Sequence, residues 1–403
     1  MQLRNLVSFA LAALLWSSSP GFAQKKYDVG ATDSEIKIGN TMAYSGPLSA
    51  YALIGRVEDA YFRKINDEGG VNGRKITFIS YDDAYNPSKT VEQTRKLVES
   101  DEVLFIFGPL GTPTSNAVQK YLNQKRIPQL FIAAGATKFG DPENYPWSMG
   151  WQPTYQTEGH IFAKYLLEKY PNGKVAMLYQ NDDSGKDYLK GLKDGLNGKM
   201  PLVLASYEPT DPTIDSQILS LKGSGADILF IEATPKFASQ AIRKSKELQW
   251  DGVRLLASIS ASVGSVLKPA GLDNSTGVIS LNYLKDPTDR KYADDPAMKE
   301  WLTFLDKYFP DADRTSTFTV YGYLAAQTLV QVLKQCGDDL TRENVMKQAT
   351  NLKDFELGLL LPGIKLNTSA KDYFPLEQMQ LKRFTGETFE DFGPVTSGEL
   401  ATN

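Results

Sequence analysis

Apolar and polar positions along this chain follow two patterns in turn, one typical of strands and the other typical of helices. Ile36 and Ile38 alternate with polar residues, and helical spacing then runs from Ser49 to Asp67, where Gly69-Gly70 ends it. The same patterns predict strands at Lys75–Ser80, Val103–Phe107, Gln129–Ala133 and Lys174–Tyr179, and helices at Pro87–Glu99, Thr114–Lys125, Tyr155–Tyr170 and Lys186–Leu196. Short apolar strands reached through helices predict an α/β fold whose parallel sheets are covered on both faces.

A weak internal sequence repeat predicts two similar lobes. Each copy leads from a tyrosine through a proline and a leucine to an aspartate and an apolar strand. The first copy comprises Tyr81, Pro87, Leu97, Asp101 and Leu104–Ile106, and the second comprises Tyr207, Pro212, Leu221, Asp227 and Leu229–Ile231. This repeat favours a duplication, although any two βαβ units share this order of elements.

Three segments are predicted to cross between the lobes. The aromatic and proline-rich stretch Tyr145–Pro153 has neither helical nor strand periodicity, and further crossings are expected near Leu281–Asp286 and Leu376–Gln380. The predicted N-terminal lobe is therefore 24–149 plus 283–378, and the C-terminal lobe is 150–282 plus 379–403. Hinge motion is expected at these crossings, because loop segments absorb changes of backbone dihedral angle.

The first 23 residues predict a secretory signal. Arg4 is their one charge, the apolar run Leu6–Trp16 follows, and Gly21-Phe22-Ala23 leads to a cleavage site before Gln24. The run is short for a membrane span, and no cysteine follows it for lipid attachment. Removing 23 of the 403 residues leaves 380, a length that suits two lobes. We therefore expect an exported, periplasmic protein.

The composition excludes several classes of function. The formal net charge is −4, and no basic stretch with interleaved aromatic residues is present, which argues against a nucleic-acid partner. With one histidine, His160, and one cysteine, Cys336, neither a Ser-His-Asp triad nor a zinc site is plausible. We expect His160 to be a packing residue. The expected protein is a monomer, and it has no catalytic residue, metal or cofactor.

Two acidic pairs, Asp82-Asp83 and Asp182-Asp183, are the remaining candidates for chemistry. Paired carboxylates can bind Mg²⁺ or Ca²⁺, or act as an acid and a base. Both pairs, however, lie where a strand passes through a loop into a helix. Capping and turn formation are therefore favoured.

Five motifs together carry a resemblance to a known family. They are Ser45-Gly46-Pro47, Gly70-Val71-Asn72-Gly73, Tyr81-Asp82-Asp83, Asn181-Asp182-Asp183-Ser184-Gly185 and Ala270-Gly271. The chain resembles the periplasmic binding proteins of the leucine/isoleucine/valine type, the soluble receptors of ATP-driven (ABC) importers. The resemblance implies a type I periplasmic binding fold, with two doubly wound, Rossmann-like lobes that close on a small-molecule ligand. It also implies permease subunits in the inner membrane as partners.

The resemblance implies an anion-binding half of the site. Family members hold the ligand carboxylate with a Ser/Thr-rich loop and with the backbone of a small-residue loop. The corresponding residues are Ser45, Thr112, Thr114 and Ser115, followed by Ala134, Gly135, Ala136 and Thr137. Thr114 falls where the family has its carboxylate-binding serine, and replacing it by Ala is expected to weaken the binding of an anion. Simple helix capping by Thr114, and close packing of the second loop, are the alternatives.

The ammonium-binding half of the family pattern is absent. Ile259 stands in place of the acid, Ser184 in place of the tyrosine and Thr234 in place of another aromatic residue, with Glu232 the only nearby acid that could compensate. A buried ammonium group without a carboxylate is costly. The prediction is a carboxylate or amide with an apolar body, on which Tyr51 and Trp151 either stack or provide hinge packing. The alternatives are a sensory module for a membrane receptor, a branched-chain amino acid receptor with an altered ammonium site, and an exported enzyme.

Overall fold

The computed structural model describes residues 25–398, so the predicted signal and its cleavage site lie outside the described residues. The helices are α1 Ala52–Asp67, α2 Pro87–Glu99, α3 Thr112–Gln124, α4 Tyr155–Lys169, α5 Asp183–Leu196, α6 Asp215–Gly223, α7 Pro235–Glu247, α8 Lys268–Ala270, α9 Leu272–Ser275, α10 Pro296–Tyr308, α11 Thr317–Cys336 and α12 Arg342–Ala349. The strands are β1 Lys26–Tyr27, β2 Glu35–Met42, β3 Lys75–Asp82, β4 Phe105–Phe107, β5 Gln129–Ile132, β6 Ser148–Gly150, β7 Val175–Gln180, β8 Leu202–Tyr207, β9 Ile228–Ile231, β10 Val253–Leu256, β11 Ile279–Asn282, β12 Asp339–Leu340, β13 Gln378–Phe384 and β14 Phe389–Ser397.

Two large sheets form the centre of the protein. The first has the order β3-β2-β4-β5-β6 and is parallel throughout. The second has the order β14-β13-β11-β10-β9-β7-β8, and its strands from β7 to β11 are parallel and follow the order of the first sheet. The predicted α/β class is thus confirmed. The strands of the internal repeat occupy matching positions in the two sheets. β3 corresponds to β8, and β4 corresponds to β9.

The C-terminal strands depart from the predicted parallel pattern. β13 pairs antiparallel with β11, and β14 pairs antiparallel with β13. A tight hairpin turn makes β13 and β14 antiparallel. In this turn the Thr385 N–H donates to the Thr388 carbonyl at 2.9 Å, and Gly386 has a φ of 105°. The hairpin extends the second sheet beyond β11.

The chain returns to the first sheet after β11. Helix α11 packs closely on α1, since a Cβ at Gly322 would lie 2.6 Å from the Ile54 carbonyl oxygen. The predicted lobe boundaries at 149/150, 282/283 and 378/379 fall at the end of β6, at the end of β11 and at the start of β13. The exact division of the chain into lobes stays a prediction.

Several differences from the predicted elements lie at helix starts. Helix α5 begins at Asp183 and not at Lys186, because Asp182 caps it by accepting the Ser184 and Gly185 N–H groups at 2.8 and 3.3 Å. Helix α3 likewise begins at Thr112, and a 3₁₀ turn at Ser49–Tyr51 precedes α1. None of the helices within residues 25–398 is long and apolar enough to cross a membrane.

Hydrogen bonds join the two halves across the space between the sheets. The Tyr51 hydroxyl donates to the Ile259 carbonyl at 3.0 Å. The Thr137 N–H and hydroxyl both donate to the Asp187 carboxylate at 2.8 Å. The described arrangement is therefore a closed one.

Candidate ligand-binding cavity

A cavity with about 810 Å³ of empty space, part of it open to solvent, lies between the two sheets. Much of its wall is aromatic, from Tyr51, Tyr85, Tyr155, Tyr283, Phe318 and Tyr321. The remaining lining residues are Ile54, Leu110, Gly111, Ala133, Gln152, Gln180, Ser184, Thr234, Ser258, Ile259, Ala261, Leu281, Asn282, Leu284, Thr317 and Lys382. The wall therefore suits a largely apolar solute.

Strand order places the loop residues of this wall. Leu110 and Ala133 follow β4 and β5, whereas Thr234 and Ser258 follow β9 and β10. In open parallel sheets, ligands bind beyond the carboxyl ends of the strands. The cavity thus occupies the position expected when two such sheets face each other.

Two helices of the first half supply the apolar side of the wall. Tyr51 and Ile54 lie at the start of α1, and Phe318 and Tyr321 lie three residues apart on α11. This spacing puts both aromatic rings on one face of the helix. Tyr51 and Phe318 contact each other, with their ring centroids 4.9 Å apart.

An acid pair and a glycine hold Tyr85 in the wall. Asp82 and Asp83 accept the N–H groups of Ala84 and Tyr85, each at 2.9 Å. Tyr85 has a φ of 59°, which is uncommon for a residue other than glycine. A Cβ at Gly111, where φ is 95°, would lie 2.3 Å from the Tyr85 ring, so this position requires glycine.

Two buried acids stand close behind the wall. Glu232 accepts the Gln180 N–H at 2.7 Å, and burial raises its pKa to about 8. Glu158 accepts the N–H and hydroxyl of Ser258 at 2.7 and 2.6 Å, and burial raises its pKa to about 7. Burial disfavours the charged form of both acids. In the ligand-free cavity, burial therefore favours the neutral form of Glu232.

Four of the residues predicted from the sequence line the cavity, namely Tyr51, Ser184, Thr234 and Ile259. Their backbone groups explain part of their placement. The Thr234 N–H donates to the Tyr207 hydroxyl at 3.0 Å, and the Ile259 carbonyl accepts from Tyr51. The structure brings these four together from both halves of the molecule.

The Ser/Thr loop of the predicted anion site lies outside the cavity lining. The Thr114 hydroxyl donates to the carbonyl oxygens of Leu110 and, at 3.1 Å, of Gly111. Ser115 donates to the Pro109 carbonyl at 3.4 Å, and Thr112 is buried as the first residue of α3. Ser45 is exposed, and its N–H donates to Asp82 at 3.2 Å. The Thr114 and Ser115 hydroxyls are thus bonded to backbone carbonyls of the preceding loop, and no side chain of the described residues caps α3.

The small-residue loop and Trp151 also lie outside the lining. The Gly135 carbonyl accepts the Tyr155 N–H at 2.8 Å, and a Cβ at Gly135 would lie 2.6 Å from the Pro153 oxygen. Ala134 and Ala136 are buried beside it, and Thr137 binds Asp187. Trp151 is fully buried, with its centroid 4.9 Å from that of Tyr321, and donates to the Thr328 hydroxyl at 3.0 Å. Close packing surrounds Gly135 and its neighbours, and hydrogen bonds to the protein hold Thr137 and Trp151.

The other candidates for chemistry have structural partners. His160 Nδ1 lies 2.7 Å from the Gly398 carbonyl, away from the cavity. Asp183 pairs with Lys138 at 3.1 Å, and Asp182 caps α5. Among residues 25–398, no group of three or more His, Cys, Asp or Glu side chains is placed to hold a metal ion.

Sequence reasoning missed most of the wall. Phe318 and Tyr321 carry no signal beyond apolar helical spacing, and Tyr155 is one aromatic residue among many. Lys382 had a detectable signal, because it is a charged residue at an inward position of a strand that follows a predicted crossing. Its burial, with 2% of its surface exposed, becomes apparent only when β13 joins the second sheet.

Comparison with known proteins identifies the family. The family described as periplasmic binding protein matches residues 35–387, so the chain belongs to it. The chain is 24% identical over 389 residues to Leu/Ile/Val-binding protein homolog 7 of Brucella suis biovar 1 (strain 1330), covering 89% of each chain. Its relatives are substrate-binding proteins and not enzymes, which confirms the prediction of a non-catalytic binding protein.

Solved structures share the type I periplasmic binding fold. A fatty acid ABC transporter substrate-binding protein from Thermomonospora curvata has a TM-score of 0.78 at 22% identity, covering 93% of this chain and 95% of its own. A branched-chain amino acid ABC transporter protein from Thermus thermophilus with bound valine has a TM-score of 0.82 at 16% identity, covering 90% and 97%. At these identities the likeness shows the fold alone.

Proposed function

We propose that this protein is the periplasmic solute receptor of an ABC importer, and that its cavity takes a carboxylate or amide with an apolar body. The observation that carries the proposal is the chemistry of the wall. Six aromatic residues line it, and the charged member of the lining within residues 25–398 is a lysine, Lys382. A solute with an apolar body would bury its surface against these rings.

The same wall disfavours leucine, isoleucine and valine as ligands. An α-ammonium group entering the cavity needs an ionised acid to offset its loss of hydration. Among the acids that contact wall residues, burial raises the pKa of Glu158 to about 7 and that of Glu232 to about 8, and Asp286 is paired with Lys382. The Ser258 N–H and hydroxyl already donate to the two oxygen atoms of Glu158, and the Gln180 N–H donates to one oxygen atom of Glu232.

A thermal-shift screen tests this ligand class. Aromatic and short aliphatic carboxylates and their amides are compared with the three branched-chain amino acids, each at micromolar to millimolar concentration. A tight ligand raises the melting temperature by mass action, and we expect that rise with acids or amides. A clear shift with leucine, and none with the acids or amides, would contradict the proposal.

A further inference from the structure

Lys382 is the charged residue of the cavity lining, and its side chain is almost completely removed from solvent, with 2% exposed. A buried ammonium group requires partners, because its loss of hydration is costly. The structure provides two oxygen acceptors, Asp286 Oδ2 and the Ala261 carbonyl oxygen, each 3.3 Å from Nζ. The Phe389 ring centroid lies 4.1 Å from Nζ.

These contacts place the ammonium group next to a residue of the cavity wall. Ala261 itself lines the cavity, so the Nζ atom that donates to its carbonyl lies beside the wall. An ammonium group has three N–H donors, and both of its oxygen contacts are long for hydrogen bonds. Asp286 also divides its charge, since its other oxygen accepts from the Thr288 N–H and hydroxyl at 3.0 and 2.7 Å.

The start of α11 adds positive potential at the same place. The Thr317 hydroxyl donates to the same Ala261 carbonyl oxygen, at 3.4 Å. Thr317 is the first residue of this 20-residue helix and lines the cavity. The N-terminus of a helix carries a partial positive charge. A lysine and a helix N-terminus therefore flank one carbonyl group at the wall.

We propose that Lys382 is the residue that selects the ligand's charge, by donating to a carboxylate oxygen of the solute beside the start of α11. This inference rests on the proposed function and narrows its ligand class from carboxylates and amides to carboxylates. Lys382 is thus a specificity-determining residue, and Asp286 competes with the ligand for its ammonium group.

Matched acids and amides test the inference by calorimetry at pH 7.5. The probes are phenylacetate with phenylacetamide and octanoate with octanamide, and the variants are Lys382→Met, Lys382→Arg and Asp286→Asn. We expect the wild-type protein to bind at least one acid more tightly than its amide. Lys382→Met should weaken acid binding at least about tenfold, the effect of a lost hydrogen bond to a charged group, and should leave amide binding nearly unchanged.

The control variants separate recognition from structural support. Lys382→Arg keeps the charge and should keep the preference for the acid. Asp286→Asn removes a carboxylate that competes for the ammonium group, so acid affinity should stay equal or rise. If Lys382→Met alone fails to fold, the double variant Lys382→Met/Asp286→Asn replaces it, because it leaves no unpaired buried charge. The double variant should also lose acid binding.

The outcomes that contradict the inference are distinct from those that contradict the proposed function. Unchanged acid binding in folded Lys382→Met, or in the folded double variant, would overturn the role of Lys382. Equal losses in Lys382→Met and Asp286→Asn would show a purely structural pair and would overturn it as well. A wild-type protein that binds amides but not acids would overturn the inference alone. Binding of leucine, with no binding of any acid or amide, would overturn both.

Discussion

At the level of single residues, three glutamates are buried. Two of them lie behind the cavity wall, and the third lies on helix α1. Glu58, Glu158 and Glu232 expose at most 2% of their surfaces. Burial raises the pKa of Glu158 to about 7 and that of Glu232 to about 8, and it raises the pKa of Glu58 well above its usual value. The burial of each side chain therefore favours a neutral carboxyl group over a carboxylate.

These acids make the stability of the ligand-free protein depend on pH. In the unfolded chain a glutamate loses its proton near pH 4.3, whereas the folded protein retains it up to the raised pKa. The stabilisation is thus complete below the unfolded pKa and is lost as the pH rises through about 7 and about 8. We expect the free energy of unfolding, measured in urea, to fall by at least about 2 kcal/mol between pH 5 and pH 8.

Amide variants identify the groups responsible. Glu158→Gln should reduce the slope of this profile up to about pH 7, and Glu232→Gln should reduce it up to about pH 8. The exposed Glu143→Gln is the matched control and should leave the profile unchanged. A profile that rises from pH 5 to pH 8, or one that none of the buried substitutions alters, would contradict the assignment.

At the level of elements, the start of α3 shows how a hydroxyl with a predicted binding role is used by the helix itself. Thr114 is the third residue of α3, and its hydroxyl donates back to Leu110 and Gly111. Threonine commonly makes such bonds to the preceding turn. The sequence cannot separate the two roles, because a hydroxyl at a helix start serves either one.

Thr114→Ala should therefore affect stability more than binding. We expect the loss of about 1 kcal/mol of unfolding free energy, the net value of one hydrogen bond, with ligand affinity nearly unchanged. Chemical denaturation measures the first quantity, and calorimetry with an acid found in the screen measures the second. Thr114→Ser, which keeps the hydroxyl, is the control. An affinity loss of tenfold or more in a folded Thr114→Ala protein would instead support the carboxylate-binding role implied by the family resemblance.

At the level of the whole molecule, the closed arrangement depends on contacts between the two halves. Tyr51 donates to Ile259, Thr137 donates to Asp187, and Ser265 and Ser316 lie 2.8 Å apart through their hydroxyl oxygens. These few polar contacts are of the kind that a hinge motion can break and remake. A ligand that bridges the two walls would favour the closed state through its differential affinity.

Ligand binding should therefore make the molecule more compact. We expect small-angle X-ray scattering to give a smaller radius of gyration with a saturating acid from the screen than without ligand. An acid that gives no thermal shift is the control and should leave the radius unchanged. Identical radii with and without a tight ligand would show that binding does not close the two halves.

The sequence by itself determined the elements and the class of fold. Periodicity is a local property, so the strand at Lys75 and the helix Pro87–Glu99 were predicted almost to the residue. Helix starts were less exact, because capping by Asp182 depends on side-chain geometry. The family motifs added the two-lobed architecture, which the family match and the solved structures then confirmed.

Only the tertiary structure decided which side chains form the cavity. Tyr155, Tyr321 and Lys382 are distant in the sequence and meet because two sheets face each other and β13 returns beside β11. The Thr114 and Ser115 hydroxyls had the right chemistry, but they donate to backbone carbonyls of the preceding loop and lie outside the lining. Local patterns fix what each residue can do, whereas long-range packing fixes which residues meet a common ligand.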